Sequence, residues 1–206
     1  MRPAERRAQL VACALAAFAR RGLGAARHAD VAAEAGVSLP AVFFYFRTRD
    51  ALVGAVLDEV ERYYVEMLRT AHAADGTARD VLHRIAAAFA ASVDTHPMHA
   101  RVWLNWSTAM RDDLWPRYLV FQGRVLRDLA ATIRAGQRTG VVADALHAAD
   151  AARLMYAAAY AVLQMKLGGE PSARVTRFLA TVVDAVAPAA RRVQRATTQN
   201  VPHFGP

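Results

Sequence analysis

The chain has 206 residues, enough for one sizeable core or for a small module joined to a larger one. Alanine supplies much of the 55% apolar content, and no series of β-branched runs with turn dipeptides is present, so an all-α fold is predicted and a sheet-built one excluded. The formal charge of +8 is concentrated at the ends, with +4 on residues 1–50, +1 on 51–188 and +3 on 189–206; a basic end on a nearly neutral body suits a polyanionic partner.

In chain order, a first helix is predicted over residues 3–21, stopped by Gly22 and Gly24. The longest apolar runs, 10–19 and 154–163, are ten residues each and too short to span a bilayer. Arg2, Arg6 and Arg7 ahead of an apolar run mimic an export signal. Arg20 and Arg21 break that run and its alanine spacing is helical, so neither export nor membrane insertion is expected. Cys13, the only cysteine, reads as a buried thiol in a reducing, cytoplasmic setting.

Two short helices follow over 28–35 and 39–45, with Gly36-Val37-Ser38 between them. Thr48 caps a long helix over 49–73, with Asp50 in its first turn, and Asp75-Gly76 breaks it. Thr77 and Asp80 resemble a capping box for a helix that runs to about Asp94. His96-Pro97 interrupts, a helix covers 97–109, and Asp112 or Asp113 opens another that ends near Gly140. A helix over 148–167 stops at Gly168-Gly169, and Pro171 opens the last, which fades near Pro188. The total is about nine helices. They divide into a helix-turn-helix head over 1–50, a body over 51–196 that shares the long helix with it, and a polar tail over 197–206 expected to be disordered.

Residues 28–47 carry the most specific pattern. Val31 and Ala35, four apart, share one face, and Ala32 is small where a second helix must cross closely. Gly36 suits a left-handed turn, Val37 covers the inner core, and Ser38 is placed to accept hydrogen bonds from the free N–H groups of the next helix. Val42 and Tyr45 face inward. Two helices joined by a short glycine turn form the DNA-reading motif; the alternative is a plain helical hairpin.

These residues resemble the DNA-binding domain of the tetracycline-repressor (TetR) family. The pattern F-x-R-x-G falls on 18–22, D-V-A-x-x-A-G-V-S on 30–38, Tyr45-Phe46 supplies the aromatic pair, and R-D-A-L falls on 49–52. Within the family the chain is similar to the LuxR/HapR-type quorum-sensing regulators, through HADVA, VFFYF, and VWLNWSTAMRDDLWP at 102–116 in the body. The resemblance implies a homodimeric transcriptional regulator that binds double-stranded DNA, has no catalytic residues, and needs no cofactor or metal.

With that likeness, the recognition-helix positions are Ser38, Leu39, Pro40, Ala41, Phe44 and Tyr45. Arg47 and Arg49 follow beside the phosphates, Arg27 and His28 open the preceding helix, and Arg2, Arg6 and Arg7 are in reach of the backbone or a minor groove. For each single arginine a solvated surface is the competing reading. The similar branch has a polar Thr and Asn where this chain has Ala41 and Phe44. These two offer base edges no hydrogen bond but suit thymine methyls, so the branch's operator does not transfer. Phe44 packed on Phe46 is the other reading.

In the body, the small residues of 148–167 mark a close helix–helix seam, and the resemblance implies a four-helix dimer interface from the last two helices. Its candidates are Ala152, Met155, Ala159, Val162, Val175, Phe178, Leu179, Val182 and Val186, with intramolecular core as the alternative. All three tryptophans, with Met110, Tyr118 and Phe121, crowd one region. Similarity to the branch places a small apolar ligand among Tyr64, Met67, Leu68, Phe89, Trp103, Trp106, Gln122, Met155 and Ala159; a filled aromatic core is the alternative.

His96 and His99 are two ligands and do not make a zinc site, and helix-start charge accounts for Arg111-Asp112-Asp113. No nucleophile elbow, phosphate loop, dinucleotide fingerprint or HExxH is present. An enzyme using the aromatic pocket and a helical interaction protein that has lost DNA binding are the competing functional classes.

Overall fold

The computed structural model describes residues 2–109 and 113–188. The expected tail over 197–206, the basic residues after 188, and Met110, Arg111 and Asp112 lie outside them. The described residues form nine α-helices and no strand: α1 Pro3–Arg21, α2 His28–Ala35, α3 Leu39–Tyr45, α4 Arg49–Ala73, α5 Ala78–Thr95, α6 Pro97–Ser107, α7 Trp115–Arg138, α8 Ala148–Leu167 and α9 Ser172–Val186.

Local chemistry sets most of these bounds. Gly22, at φ 84°, takes the chain out of α1. Gly36 sits in the left-handed region at φ 63°, ψ 36°, and a Cβ there would meet nothing within 4 Å, so backbone conformation and not space selects glycine. Thr48 Oγ1 accepts from Ala51 N at 3.1 Å to start α4. Thr77 and Asp80 close a reciprocal box at α5: the Thr77 N–H donates to the Asp80 carboxylate at 2.8 Å and Asp80 N donates to Thr77 Oγ1 at 3.3 Å. The Thr77 hydroxyl, which donates to the Asp80 carboxylate at 2.8 Å, and the Thr77 N–H together hold that carboxyl below its usual range.

Three details differ from expectation. Ser38 occupies the N-cap of α3 but its hydroxyl makes no capping bond. α6 ends at Ser107, two residues early, because the Ser107 and Thr108 hydroxyls donate back to Leu104 O at 2.8 and 3.2 Å. α7 starts at Trp115 and not at an acid: Pro116 in the first turn lacks the N–H that would go unpaired there.

One apolar core runs from α1 to α9. α1 packs on α2, α4 and α6, so the head rests on the body through α1 as well as sharing α4 with it. α5 packs against α4, α6, α7, α8 and α9, and α8 packs against both α7 and α9. Among the described residues no helix is long and apolar enough to cross a membrane.

Candidate nucleic-acid interface and buried cavity

α3 buries Val42 completely and, just past its end, Phe46. That anchors one face of a two-turn helix and turns the other outward. Leu39, Pro40, Phe43 and Phe44 are exposed, Phe44 to 77%, and Ala41 and Tyr45 are half-buried on the flank. Phe44 therefore does not pack on Phe46; its ring stands edge-on to Tyr45 with centroids 5.1 Å apart.

His28 does not present its ring outward. It is buried, its Nε2–H donates to Phe46 O at 2.7 Å, and it stacks on Phe43 with centroids 4.1 Å apart. The ring thus ties the start of α2 to the end of α3. Arg49, expected beside the phosphates, turns its guanidinium inward to donate to Leu23 O, with Nε buried and without a hydrogen bond. Arg27 donates to Gly24 O at 2.7 Å and Ala26 O at 3.1 Å while remaining exposed. Arg6 donates to Gln9 Oε1 at 2.9 Å. Arg7 lies over the Phe46 ring at 5.2 Å, and Arg47 is exposed. The exposed cations Arg7, Arg27 and Arg47 and the apolar ridge of α3 all belong to the head.

The body encloses a cavity of about 70 Å³. Seven of the expected residues line it: Tyr64, Met67 and Leu68 of α4, Phe89 of α5, Trp103 of α6, and Met155 and Ala159 of α8. Two do not. Trp106 is fully buried outside it, donating its Nε1–H to Leu114 O at 3.1 Å and stacking on Phe121. Gln122 is half-buried and donates to Tyr118 Oη at 3.4 Å. A large aromatic near a pocket in sequence is not thereby in its wall; Trp106 already has its hydrogen-bond partner.

Sequence reasoning missed Ile85, Phe121, Val125, Leu129, Tyr156 and Ala158 in the wall. The spacing Met155, Ala158, Ala159, Val162 marks a single apolar face of α8 and was the available signal. It also missed the polar end. Trp103 Nε1 donates to Tyr156 Oη at 3.3 Å, and Tyr156 and Tyr160 each pair with Tyr118 Oη, at 2.9 and 2.5 Å. Burial pushes the Tyr64, Tyr118 and Tyr156 hydroxyls up, so all three stay protonated donors. Tyr64 is the exception in this network. It is buried against the cavity and its hydroxyl makes no hydrogen bond of good geometry; Ser92 beside it offsets part of the rise that burial causes, while giving its own proton to Phe89 O at 2.7 Å.

The cavity wall is tied to the long helix that enters the head. Arg117, one turn before Phe121 on α7, donates to Asp58 at 2.7 Å, to Glu61 at 2.7 and 2.8 Å and to Gly54 O at 3.3 Å, all on α4. Its guanidinium also lies 5.7 Å from the centroid of the Trp106 ring.

The expected dimer residues are largely inside the single chain. Ala152, Val175 and Val186 are buried in the core, Met155, Ala159, Val162, Leu179 and Val182 line the cavity, and Phe178 packs on the core half-buried. Apolar spacing reported burial correctly but not the partner. The exposed residues of α8 include Arg153, Leu154, Ala157 and Gln164, with Ala161 half-buried, and those of α9 include Ala173, Arg177, Thr181 and Asp184, with Ala180 half-buried.

Comparison with known proteins agrees with this architecture. The profile of the bacterial regulatory proteins of the tetR family matches residues 10–56. The HTH-type transcriptional regulator LuxR of Vibrio harveyi is 33% identical over 184 residues, covering 88% of this chain and 89% of that protein. The MbdR regulator from Azoarcus sp. CIB superposes with a TM-score of 0.72 at 25% identity, covering 85% of this chain and 95% of that one. FadR from Bacillus subtilis, solved in complex with stearoyl-CoA, superposes with a TM-score of 0.74 at 15% identity, covering 88% and 98%.

Proposed function

The chain belongs to the TetR family of transcriptional regulators, and from that premise we propose that it binds an operator as a homodimer, its two α3 helices in successive major grooves, under the control of a small apolar ligand. The observation that carries this reading is the outward ridge of α3, held by buried Val42, Phe46 and His28 and flanked by Arg7, Arg27 and Arg47. A plain helical hairpin would have no reason to keep a phenylalanine 77% exposed on a head that also carries exposed arginines.

Two copies pair through the exposed faces of α8 and α9, where alanines permit close approach, and a two-fold pair matches two half-sites. Residues 1–50 act as the reading head and 51–196 as the body, at work on DNA in the cytoplasm. The likeness to LuxR makes population-density control the first physiological response to examine.

The cavity accepts an apolar ligand with one hydrogen-bond acceptor, because Tyr64 brings a hydroxyl with no hydrogen bond of good geometry to a largely apolar wall. At about 70 Å³ the space is smaller than usual ligand pockets, so a larger guest must part α7 from α4. Arg117 passes that motion to Gly54, Asp58 and Glu61 at the head end of α4. The fold holds an acyl-CoA in the FadR structure, which makes fatty acids the first probes.

The test is selection of binding sites from random duplex DNA, followed by affinity measurements against salt. A two-fold operator bound by a dimer, with affinity falling steeply as salt rises, supports the reading. Equal affinity for selected and random DNA overturns it. In the same assay, short and medium-chain fatty acids are expected to change operator affinity, and Tyr64→Phe to weaken that response.

A further inference from the structure

A major-groove reader needs groups that match base edges, and the outer ridge of α3 has a distinctive set. Pro40 and Phe44, four apart, form its crest, with Leu39 and Phe43 exposed on one flank and Ala41 half-buried on the other. None of these side chains donates or accepts a hydrogen bond, and Pro40 lacks even its backbone N–H. The polar groups nearby lie off the crest: Ser38 precedes the helix, Tyr45 is half-buried beside Phe44, and Arg47 follows the helix.

The crest is held outward. Phe43 is occupied by its stack on His28, whose Nε2–H is fixed to Phe46 O at 2.7 Å. Tyr45 stands edge-on to Phe44 at 5.1 Å, so the Phe44 ring is braced at its side and open at its tip. Every base edge in the major groove presents donors or acceptors, and the one apolar group there is the thymine C5-methyl. A phenyl ring and an alanine methyl pressed on any other edge would strip water from a polar atom and give nothing back.

We infer that Phe44, with Ala41, sets operator specificity by packing on thymine methyls, so that α3 reads the placement of methyl groups and not a hydrogen-bond pattern. This rests on the DNA-binding reading above and goes a step further, to the chemistry of the selected bases.

The test replaces each thymine of the selected operator singly with deoxyuridine, which removes the methyl and leaves every hydrogen-bonding group in place. One or two positions per half-site are expected to lose affinity about fourfold, the worth of one methyl taken out of water. In Phe44→Ala, whose folding is checked by circular dichroism, thymine and deoxyuridine operators should bind alike at those positions. Specific binding that tolerates deoxyuridine everywhere overturns the inference and leaves the regulator intact. A thymine preference that persists undiminished in Phe44→Ala also overturns it. Absence of any specific binding removes both readings together.

Discussion

The ridge of α3 and the wall of the body cavity are made of the same kinds of residue in opposite surroundings. In the body, Phe89 and Trp103 meet edge to face with centroids 5.5 Å apart, and Trp106 stacks on Phe121 at 5.6 Å, all buried. On α3, Phe44 stays open to water. The difference lies in what closes over each. α5 is covered by five helices, whereas seven-residue α3 packs chiefly against α2 and has one buried face. Aromatic residues in this chain are therefore core elements where helices surround them and an open surface, the proposed reading surface, where only one side is covered. Substitutions should separate accordingly.

The largest expected effect is on the enclosed side. Trp106→Ala removes a fully buried indole together with its hydrogen bond to Leu114 O, so unfolding free energy should fall by about 3–5 kcal/mol in a urea titration. A loss below about 1 kcal/mol would mean that the aromatic cluster is not a packed core. Next comes Gly136 of α7, where a Cβ would sit 2.6 Å from Val142 Cγ2 and 2.8 Å from Ala78 Cβ. Gly136→Ala should destabilise by about 1–3 kcal/mol through that overlap, read as a lower thermal midpoint. Tyr64→Phe has the opposite sign. Deleting a buried hydroxyl that makes no hydrogen bond of good geometry should stabilise the ligand-free protein by about 1 kcal/mol, and a loss of stability would show that Ser92 satisfies it.

The helices were legible in the sequence because their stops are local: Gly22, Gly36, Thr48, Thr77 and Pro97 act within a turn of where they stand. The apolar positions of α8 and α9 were legible too, since 3.6-residue spacing reports a buried face. What spacing does not report is who buries it, and that is why Val162 and Val182, expected at a dimer seam, line the cavity. The inward turns of His28 and Arg49 rest on carbonyls 18 and 26 residues away, Phe46 O and Leu23 O, which no local pattern encodes. The aromatic run 43–46 contains one fully enclosed ring, one half-buried and two exposed; in so short a helix periodicity alone does not sort them.

A weaker effect tests the contact between α6 and α4. His99 on α6 is buried with Nε2 unpaired, facing Glu59 at 3.6 Å and Arg62 on α4, with the Tyr63 ring and His96 beside it. Burial holds its pKa below the ordinary value of 6.5, and Glu59 pulls it only part of the way back. Folding thus favours the neutral ring. Its contribution is complete above about pH 6.5 and is lost as pH falls through the lower folded value, so thermal midpoints should drop on acidification. His99→Gln should flatten that slope, and an unchanged slope would assign it elsewhere.

The smallest effect on stability is also the sharpest test of the contrast. Phe44→Ala removes a whole aromatic side chain, as large a deletion as many that unfold proteins. Among the described residues its one ring contact is the edge of Tyr45 at 5.1 Å, and most of its surface already meets water. Unfolding free energy should therefore change by no more than about 0.5 kcal/mol while operator affinity falls. If this substitution instead destabilised the chain as a core deletion does, the ridge of α3 would be part of the packing, and the proposed division between reading surface and core would fail at the residue that defines it.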